Sequence, residues 1–142
     1  MPWLYTPLMD YKGPEANGFT DPHEVREYHP LITRKGYKEN SFTDPAADRV
    51  KLASLIRSFR RDTYSGPPVL LLNEQALTGT HRIYAARRVK AELPVFQVTT
   101  DSDIHDAIMS DIHDAGHYED IPNVLRKHGF HDAACVMDYD VH

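Results

Sequence analysis

The chain has 142 residues, a net charge of −5 and a hydrophobic content of 41%, which suits one domain with one core. Its one cysteine, Cys135, excludes an internal disulfide and a thiolate metal cage. No apolar run approaches the ~18–20 residues of a membrane span. The acidic balance argues against nonspecific DNA binding, which needs a basic surface. We therefore expect a cytoplasmic protein without a signal peptide.

The first 43 residues carry many prolines and glycines and predict an irregular N-terminal arm. A short strand at residues 31–33 is only weakly indicated. The first clear helix begins at Thr43 or Asp44, either of which can cap it, with Pro45 in the first turn. Apolar residues at spacings of three and four between residues 50 and 59 give the helix one buried face. We expect it to end by residues 62–65.

A strand–turn–helix–strand unit follows. The apolar run Val69-Leu70-Leu71-Leu72 predicts a buried strand, residues 73–75 a turn, and residues 76–78 a short returning strand. Gly79 permits a sharp change of direction, and a helix is predicted from residue 80 to residue 90. Residues 95–98 predict another buried strand. These elements define a core over residues 44–100 in a small mixed sheet of the α/β (α+β) class.

The region after Thr100 has a helical pattern and predicts a helical C-terminal appendage to the same compact domain. Helices are expected over residues 104–115, 121–127 and 131–138, with Gly116 and Gly129 as terminators. Several histidines stand there among aspartates: His105, His113, His117, His128 and His131. His113 and His117 have a spacing that metal ligands use, but Gly116 interrupts the turn between them. We interpret these histidines as solvated surface and predict no metal site.

The turn at Gly79 is the strongest candidate for a ligand site. A helix N-terminus offers unpaired backbone N–H groups and a partial positive charge, and a glycine before it lets an anion approach closely. Thr80 can cap the helix or bond a ligand oxygen, and His81 and Arg82 add donors in the first turn. A cation there opposes the helix dipole, so Arg82 fits a bound anion. The alternative, a simple turn with His81 and Arg82 solvated, stays open.

The segment Leu77-Thr78-Gly79-Thr80-His81-Arg82-Ile83-Tyr84-Ala85-Ala86 resembles the central motif of the ParB/sulfiredoxin-like superfamily. The flanking elements occur in that family's order, so the resemblance covers about residues 44–100. It implies that the glycine-led turn holds the phosphates of a nucleotide such as ATP or CTP. The implied ligand-binding residues are Thr78, Gly79, Thr80, His81 and Arg82, with His81 and Arg82 as the candidate catalytic residues.

The chain departs from each known activity of that superfamily. Thr80 stands where sulfiredoxin carries its reactive cysteine, which excludes sulfinic-acid repair. Thr78 stands where the free-serine kinases carry an acidic residue, which argues against kinase activity. The partition proteins have Glu-Arg-Arg in place of Thr80-His81-Arg82 and append a helix-turn-helix domain. The residues after Thr100 are too few and too acidic for that domain.

Three functions are compatible with these observations. The first is a nucleotide-dependent phosphotransferase or hydrolase; the second is a noncatalytic module that senses a nucleotide or binds another protein, as in a virus- or mobile-element-encoded factor. A ParB-like nuclease ranks third.

Mg²⁺ could accompany the phosphates, held through water by Glu74, although an ordinary hairpin turn is the favoured interpretation of residues 73–75. Arg87 and Arg88 are interpreted as solvated, and none of Glu24, Glu27 and Glu39 is assigned as a general base.

Overall fold

The computed structural model describes residues 11–26, 45–61 and 64–140. The predicted strand at residues 31–33 and the predicted cap at Thr43 or Asp44 lie outside these residues. The described elements in chain order are β1 (Gly18–Thr20), a 3₁₀ helix (Pro22–Glu24), α1 (Pro45–Arg60), β2 (Val69–Leu72), β3 (Gln75–Ala76), α2 (Thr80–Val89), β4 (Leu93–Val98), α3 (Ser102–Ala115), a second 3₁₀ helix (Tyr118–Asp120), α4 (Ile121–Lys127) and α5 (His131–Asp140). None of the described helices is both long and apolar enough to cross a membrane.

The four described strands form one mixed sheet in the order β1-β4-β2-β3. β2 and β3 form an antiparallel hairpin, and β4 returns parallel to β2, with Val69 opposite Val95. A parallel return needs a crossover connection, and α2 supplies it. β1 pairs antiparallel with β4. The predicted α+β class with a small mixed sheet is therefore confirmed.

Successive residues of a strand point to opposite faces of the sheet. Because all four residues of β2 are apolar and buried, both faces are covered by helices. Val69, Leu71 and Val95 are buried with apolar residues of α1 and α2. Leu70 and Leu72 are buried in a second cluster with apolar residues of α3, α4 and α5. The predicted C-terminal appendage is thus a packed layer. The molecule has three layers: α1 with α2, the sheet, and α3 with α4 and α5.

β3 and β4 differ from their predicted bounds, and β1 was not predicted as a strand. β4 begins at Leu93 rather than at residue 95. β3 ends at Ala76 rather than at residue 78: the N–H of Leu77 still donates to the carbonyl of Leu70 at 2.9 Å, and the chain then bends toward Gly79. β1 lies inside the predicted irregular arm. Three residues are too few to show an alternating pattern. The strand forms because it pairs with β4, which is far away in the sequence.

The β2–β3 hairpin turns on Asn73 and Glu74, whose φ angles are 49° and 70°. Positive φ at both central residues is what a two-residue type I′ hairpin requires. The side chain of Asn73 accepts from the N–H of Thr100 at 2.8 Å and donates to its hydroxyl at 3.1 Å. Asn73 therefore fixes the connection that follows β4, and the interpretation of this segment as a hairpin turn is confirmed.

Residues 11–26 reach both borders of the sheet, because β1 is the strand at one border and Arg26 bridges β3 at the other. β1 pairs with β4 at one side, and Arg26 forms a parallel bridge with Gln75 of β3 at the other. The guanidinium of Arg87 in α2 donates to the carbonyls of Pro22 and Val25, at 2.9 and 3.1 Å. The sequence-based interpretation of Arg87 as solvated was wrong, because a lone arginine carries no signal for backbone acceptors that lie over 60 residues away.

α3 and α4 are joined by the carboxylate of Asp111, which lies 2.7 Å from Nε2 of His128 and accepts from Nζ of Lys127 at 3.1 Å. The hydrogen bond with His128, followed by that with Lys127, lowers the pKa of Asp111 below its usual 3.8. A lowered carboxylate pKa stabilises the fold fully above the ordinary pKa, and this contribution is lost as the pH falls through the lowered value.

We expect Asp111→Asn to lower the urea midpoint of unfolding at neutral pH. The difference from the wild type should shrink as the pH falls through and below the ordinary Asp value of 3.8, because the wild-type carboxylate is then protonated. Asp114→Asn is the matched control: it also lies on α3 beside a histidine, but its side chain is 77% exposed. A difference that stays constant from neutral pH to strongly acidic pH would contradict the assigned role of Asp111.

Candidate functional site

The turn before α2 is built on Gly79, which occupies the N-cap position with a φ of 94°. The N–H of Ile83 donates the first helical hydrogen bond to the carbonyl of Gly79 at 2.8 Å. Thr80 is the first helical residue and therefore does not cap the helix, which was one of the two roles considered for it; the other, a hydrogen bond to a ligand oxygen, stays a prediction. A cap at this φ needs a residue that adopts the left-handed region at little cost, and that residue is glycine. The N–H groups of residues 80–82 precede the first helical hydrogen bond.

Close packing also requires a glycine here. A Cβ added to Gly79 would lie 2.6 Å from Cγ2 of Val69 and 3.2 Å from Nη2 of Arg82. Val69 is completely buried at the start of β2, so it has little room to shift. The turn therefore packs closely against Val69 of β2, and a side chain at residue 79 would require Val69 to move.

Two other helix starts use a carboxylate cap, whereas α4 has no side-chain cap hydrogen bond. Asp101 accepts from the N–H of Ile104 at 2.8 Å at the start of α3, and Asp21 accepts from the N–H of His23 at 2.9 Å. At α2, Gly79 has no side chain that could accept such a bond, and the first turn contains no acidic residue. The start of α2 therefore has no side-chain cap and no carboxylate in its own first turn, so nothing within the turn offsets its partial positive charge.

Arg82 is buried, with only 6% of its surface exposed. Its Nη1 donates to the carbonyl of Pro67 at 2.6 Å and to that of Pro68 at 3.2 Å, and its Nη2 donates to the hydroxyl of Thr78 at 3.3 Å. The structure excludes the alternative in which Arg82 is solvated. It brings Thr78, Gly79 and Arg82 together, with the guanidinium bridging the turn and the segment that leads into β2.

Tyr64 extends this arrangement to the end of α1, and the sequence analysis did not identify it. Its hydroxyl donates to the carbonyl of Pro67 and lies 3.4 Å from Nη1 of Arg82. Its ring stacks on Phe59 of α1, with centroids 4.8 Å apart and planes 8° apart. The sequence signal that could have identified Tyr64 is its position as an aromatic residue between a predicted helix and a Pro-Pro pair. Tyr64 and Arg82 together satisfy backbone carbonyls that a proline-rich segment cannot pair through its own N–H groups.

The remaining predicted ligand residues lie in the first turn of α2. Thr80 and His81 are half-buried, and Arg88 further along the helix is exposed, as predicted. Thr78 is buried, and its hydroxyl accepts from Arg82. The first turn thus combines backbone N–H groups with the hydroxyl of Thr80 and the imidazole of His81, while the Arg82 side chain turns inward.

The acidic and histidine candidates elsewhere do not converge on this turn. Within residues 11–26, 45–61 and 64–140, no group of three His, Cys, Asp or Glu side chains is arranged to hold a metal ion. Glu24 and Glu74 are exposed, while Glu27 and Glu39 lie outside the described residues. Among the histidines, His128 is paired with Asp111 and is not simply solvated.

Comparisons with protein-family models, curated proteins and solved structures found no match to this chain.

Proposed function

We propose that the protein is a noncatalytic module that binds a phosphate-bearing ligand, a nucleotide such as ATP or CTP, at the start of α2. The observation that carries the proposal is the glycine cap at Gly79, in a first turn that has two potential cations and no acidic residue. A phosphate at this position would supply the negative charge that Asp101 supplies at α3. The resemblance of residues 77–86 to the ParB/sulfiredoxin-like motif supports the same assignment.

The proposed contacts divide between backbone and side chains. The N–H groups of Thr80 and His81 lie before the first helical hydrogen bond and can donate to phosphate oxygens. The Thr80 hydroxyl and the His81 imidazole add donors at the half-buried rim. Arg82 acts indirectly, because its bonds to Pro67, Pro68 and Thr78 hold the turn in place. Its positive charge still favours an anion nearby through the low-dielectric interior.

The position of Arg82 favours binding over phosphoryl transfer. For Arg82 to stabilise a transferring phosphoryl group, its guanidinium would have to leave buried carbonyl acceptors, which costs about 1–3 kcal/mol for each group left unsatisfied. A phosphotransferase or hydrolase needs such a donor directed at the reacting phosphate. The geometry therefore supports a module that recognises phosphate with preformed backbone donors.

Nucleotide binding can be tested by thermal and urea unfolding with ATP, CTP, GTP and UTP, each with Mg²⁺. A ligand at 100 times its dissociation constant should stabilise the fold by about 2.7 kcal/mol. Thr80→Glu should abolish this stabilisation because its carboxylate occupies the electropositive helix start. By itself the same change should stabilise α2 by about 0.3–1 kcal/mol. Thr99→Glu, at an exposed position after β4, is the matched control and should bind like the wild type.

The outcomes separate the alternatives. Stabilisation by no nucleotide, or equal stabilisation of the wild type and Thr80→Glu, would overturn the proposal. Phosphate release measured in the same samples should stay at background. Release that Thr80→Glu removes and Thr99→Glu preserves would replace the binding module by a nucleotide hydrolase that uses the same turn.

A further inference from the structure

Charge is divided between the two helical layers. Residues 45–61, which include α1, contain five arginine or lysine residues and one aspartate, and residues 80–91, which include α2, contain four basic residues and no acidic one. Residues 101–140, which form the opposite layer, contain ten acidic residues and two basic ones. The net charge of −5 therefore conceals a basic layer on one face of the sheet and an acidic layer on the other.

One stripe holds three arginines of α1 and Arg61, the residue that follows it; Lys51 lies on another side of the helix. Arg49, Arg57, Arg60 and Arg61 are all exposed. At about 100° per residue they fall within an arc of roughly 120°, and Arg49 and Arg60 are roughly 16 Å apart along the helix. The stripe lies opposite Leu55 and Phe59, which pack on the sheet. It is therefore an outward-facing row, which we call the α1 arginine stripe.

Three of the four residues of the stripe lack a neutralising carboxylate among the described residues. The side chains of Arg49, Arg60 and Arg61 make no ion pair with any carboxylate in the part of the chain that the structure describes. Helices that only need solubility usually alternate charges of both signs. A row of like charges in one helix instead raises its own electrostatic energy, and a bound anion removes that cost.

α2 packs directly against α1 in the same layer. Its exposed positions include Tyr84, which is 45% exposed, and Arg88, one turn further along. An aromatic ring next to arginine is the combination on which nucleic-acid bases stack. The basic layer thus carries both a row of cations and an exposed ring.

We propose that the α1 arginine stripe and the neighbouring face of α2 bind a nucleic-acid strand through its phosphates. The charge of the layer complements a polyanion, and its length matches several successive phosphates rather than one. Arginine outnumbers lysine in it, and the planar guanidinium suits bidentate contacts with phosphate. The acidic layer behind the sheet orients the domain, since it repels the same polyanion. This surface does not depend on the nucleotide site at Gly79.

In the sequence analysis the acidic net charge was an argument against nonspecific DNA binding, and this proposal revises that inference. Counterion release depends on the cations that contact the phosphates. An acidic total is therefore compatible with binding when ten carboxylates are placed on the far side of the sheet.

The test is fluorescence anisotropy with a single-stranded DNA of about 16 nucleotides, its RNA counterpart and a duplex of the same sequence, at about 50 mM salt. The wild type should bind at least one of them, and log K should fall with log salt with a slope of about −3, as for four phosphate contacts. Arg49→Gln/Arg60→Gln/Arg61→Gln should weaken binding by at least about tenfold and reduce the slope by about 2.

The control removes the same charge elsewhere. Lys12→Gln/Arg126→Gln/Lys127→Gln changes three exposed cations outside the basic layer and should leave affinity within about threefold of the wild type. Unfolding midpoints of both variants establish that they are folded. Equal losses in the two variants, or no binding of any nucleic acid by the wild type, would overturn the proposal. Binding of polyglutamate as tight as that of DNA would also overturn it and point to an acidic protein partner.

A second experiment distinguishes binding at this surface from binding at the nucleotide site. Oligonucleotide binding should survive Thr80→Glu and an excess of ATP. If either abolishes it, the oligonucleotide occupies the Gly79 turn and the stripe proposal fails, while the nucleotide proposal is supported. If ATP does not bind but the oligonucleotide does, the nucleotide proposal fails and the stripe proposal stands.

Discussion

Arg82→Met should lower the free energy of unfolding by about 3 kcal/mol. Methionine keeps much of the volume but removes the donors to the carbonyls of Pro67 and Pro68 and to the hydroxyl of Thr78. Both prolines and Thr78 are buried, and a buried acceptor left without a partner costs about 1–3 kcal/mol. Urea denaturation followed by circular dichroism measures the change.

Arg88→Met is the matched control, since Arg88 lies on the same helix and is exposed. Its effect should stay within about 0.5 kcal/mol. If the two variants lose the same stability, the internal hydrogen bonds of Arg82 contribute nothing and its burial has another cause. An Arg82 variant that loses ligand binding does not identify a phosphate contact, because the turn itself is weakened. Thr80→Glu is the sharper probe of binding for that reason.

Gly79→Ala should be destabilising to a similar extent, by about 3 kcal/mol. A non-glycine residue at a φ of 94° is strained by about 1–3 kcal/mol, and the new methyl group would meet Val69 at 2.6 Å. Overpacking in a core adds about 1–3 kcal/mol. Thermal unfolding and urea unfolding both report the change.

Gly129→Ala separates these two causes. Gly129 has a φ of 88°, and a Cβ added there meets nothing within 4 Å, so only the backbone strain of about 1–2 kcal/mol applies. The difference between the two variants therefore measures the contacts of the added methyl group with Val69 and Arg82. Equal losses would show that Val69 shifts freely and that the turn is not pressed against the sheet.

Much of the fold could be predicted because its signals are local. The apolar spacing in α1, the continuous run of β2 and the glycine after α3 each indicate one element without knowledge of the rest. β1 could not be predicted in this way, since three residues show no period and its pairing with β4 joins positions about 75 residues apart. The layer formed by α3, α4 and α5 was also understated, because a helical pattern does not reveal which face of a sheet the helix will cover.

The turn at Gly79 was predicted from the sequence, but the contacts that hold it in place were not. Gly79 indicated the turn, since a glycine between a strand and a helix marks a sharp change of chain direction. The inward direction of the Arg82 side chain depends on two proline carbonyls that precede β2, and no local pattern encodes that partnership. The same holds for Arg87, whose acceptors belong to the segment before α1. In both cases an arginine that was expected to contact a ligand or solvent instead donates hydrogen bonds to backbone carbonyls of the fold.

The position of residues 18–26 at both borders of the sheet has a consequence for aggregation. An open strand edge is a template for pairing with another chain. Here β1 covers the edge of β4, and Arg26 bridges Gln75 of β3 at the opposite border, so one short stretch of chain covers the edge of β4 and part of the edge of β3. Release of that stretch would expose edges of β4 and β3 together. The hydrogen bonds from Arg87 to the carbonyls of Pro22 and Val25 oppose that release.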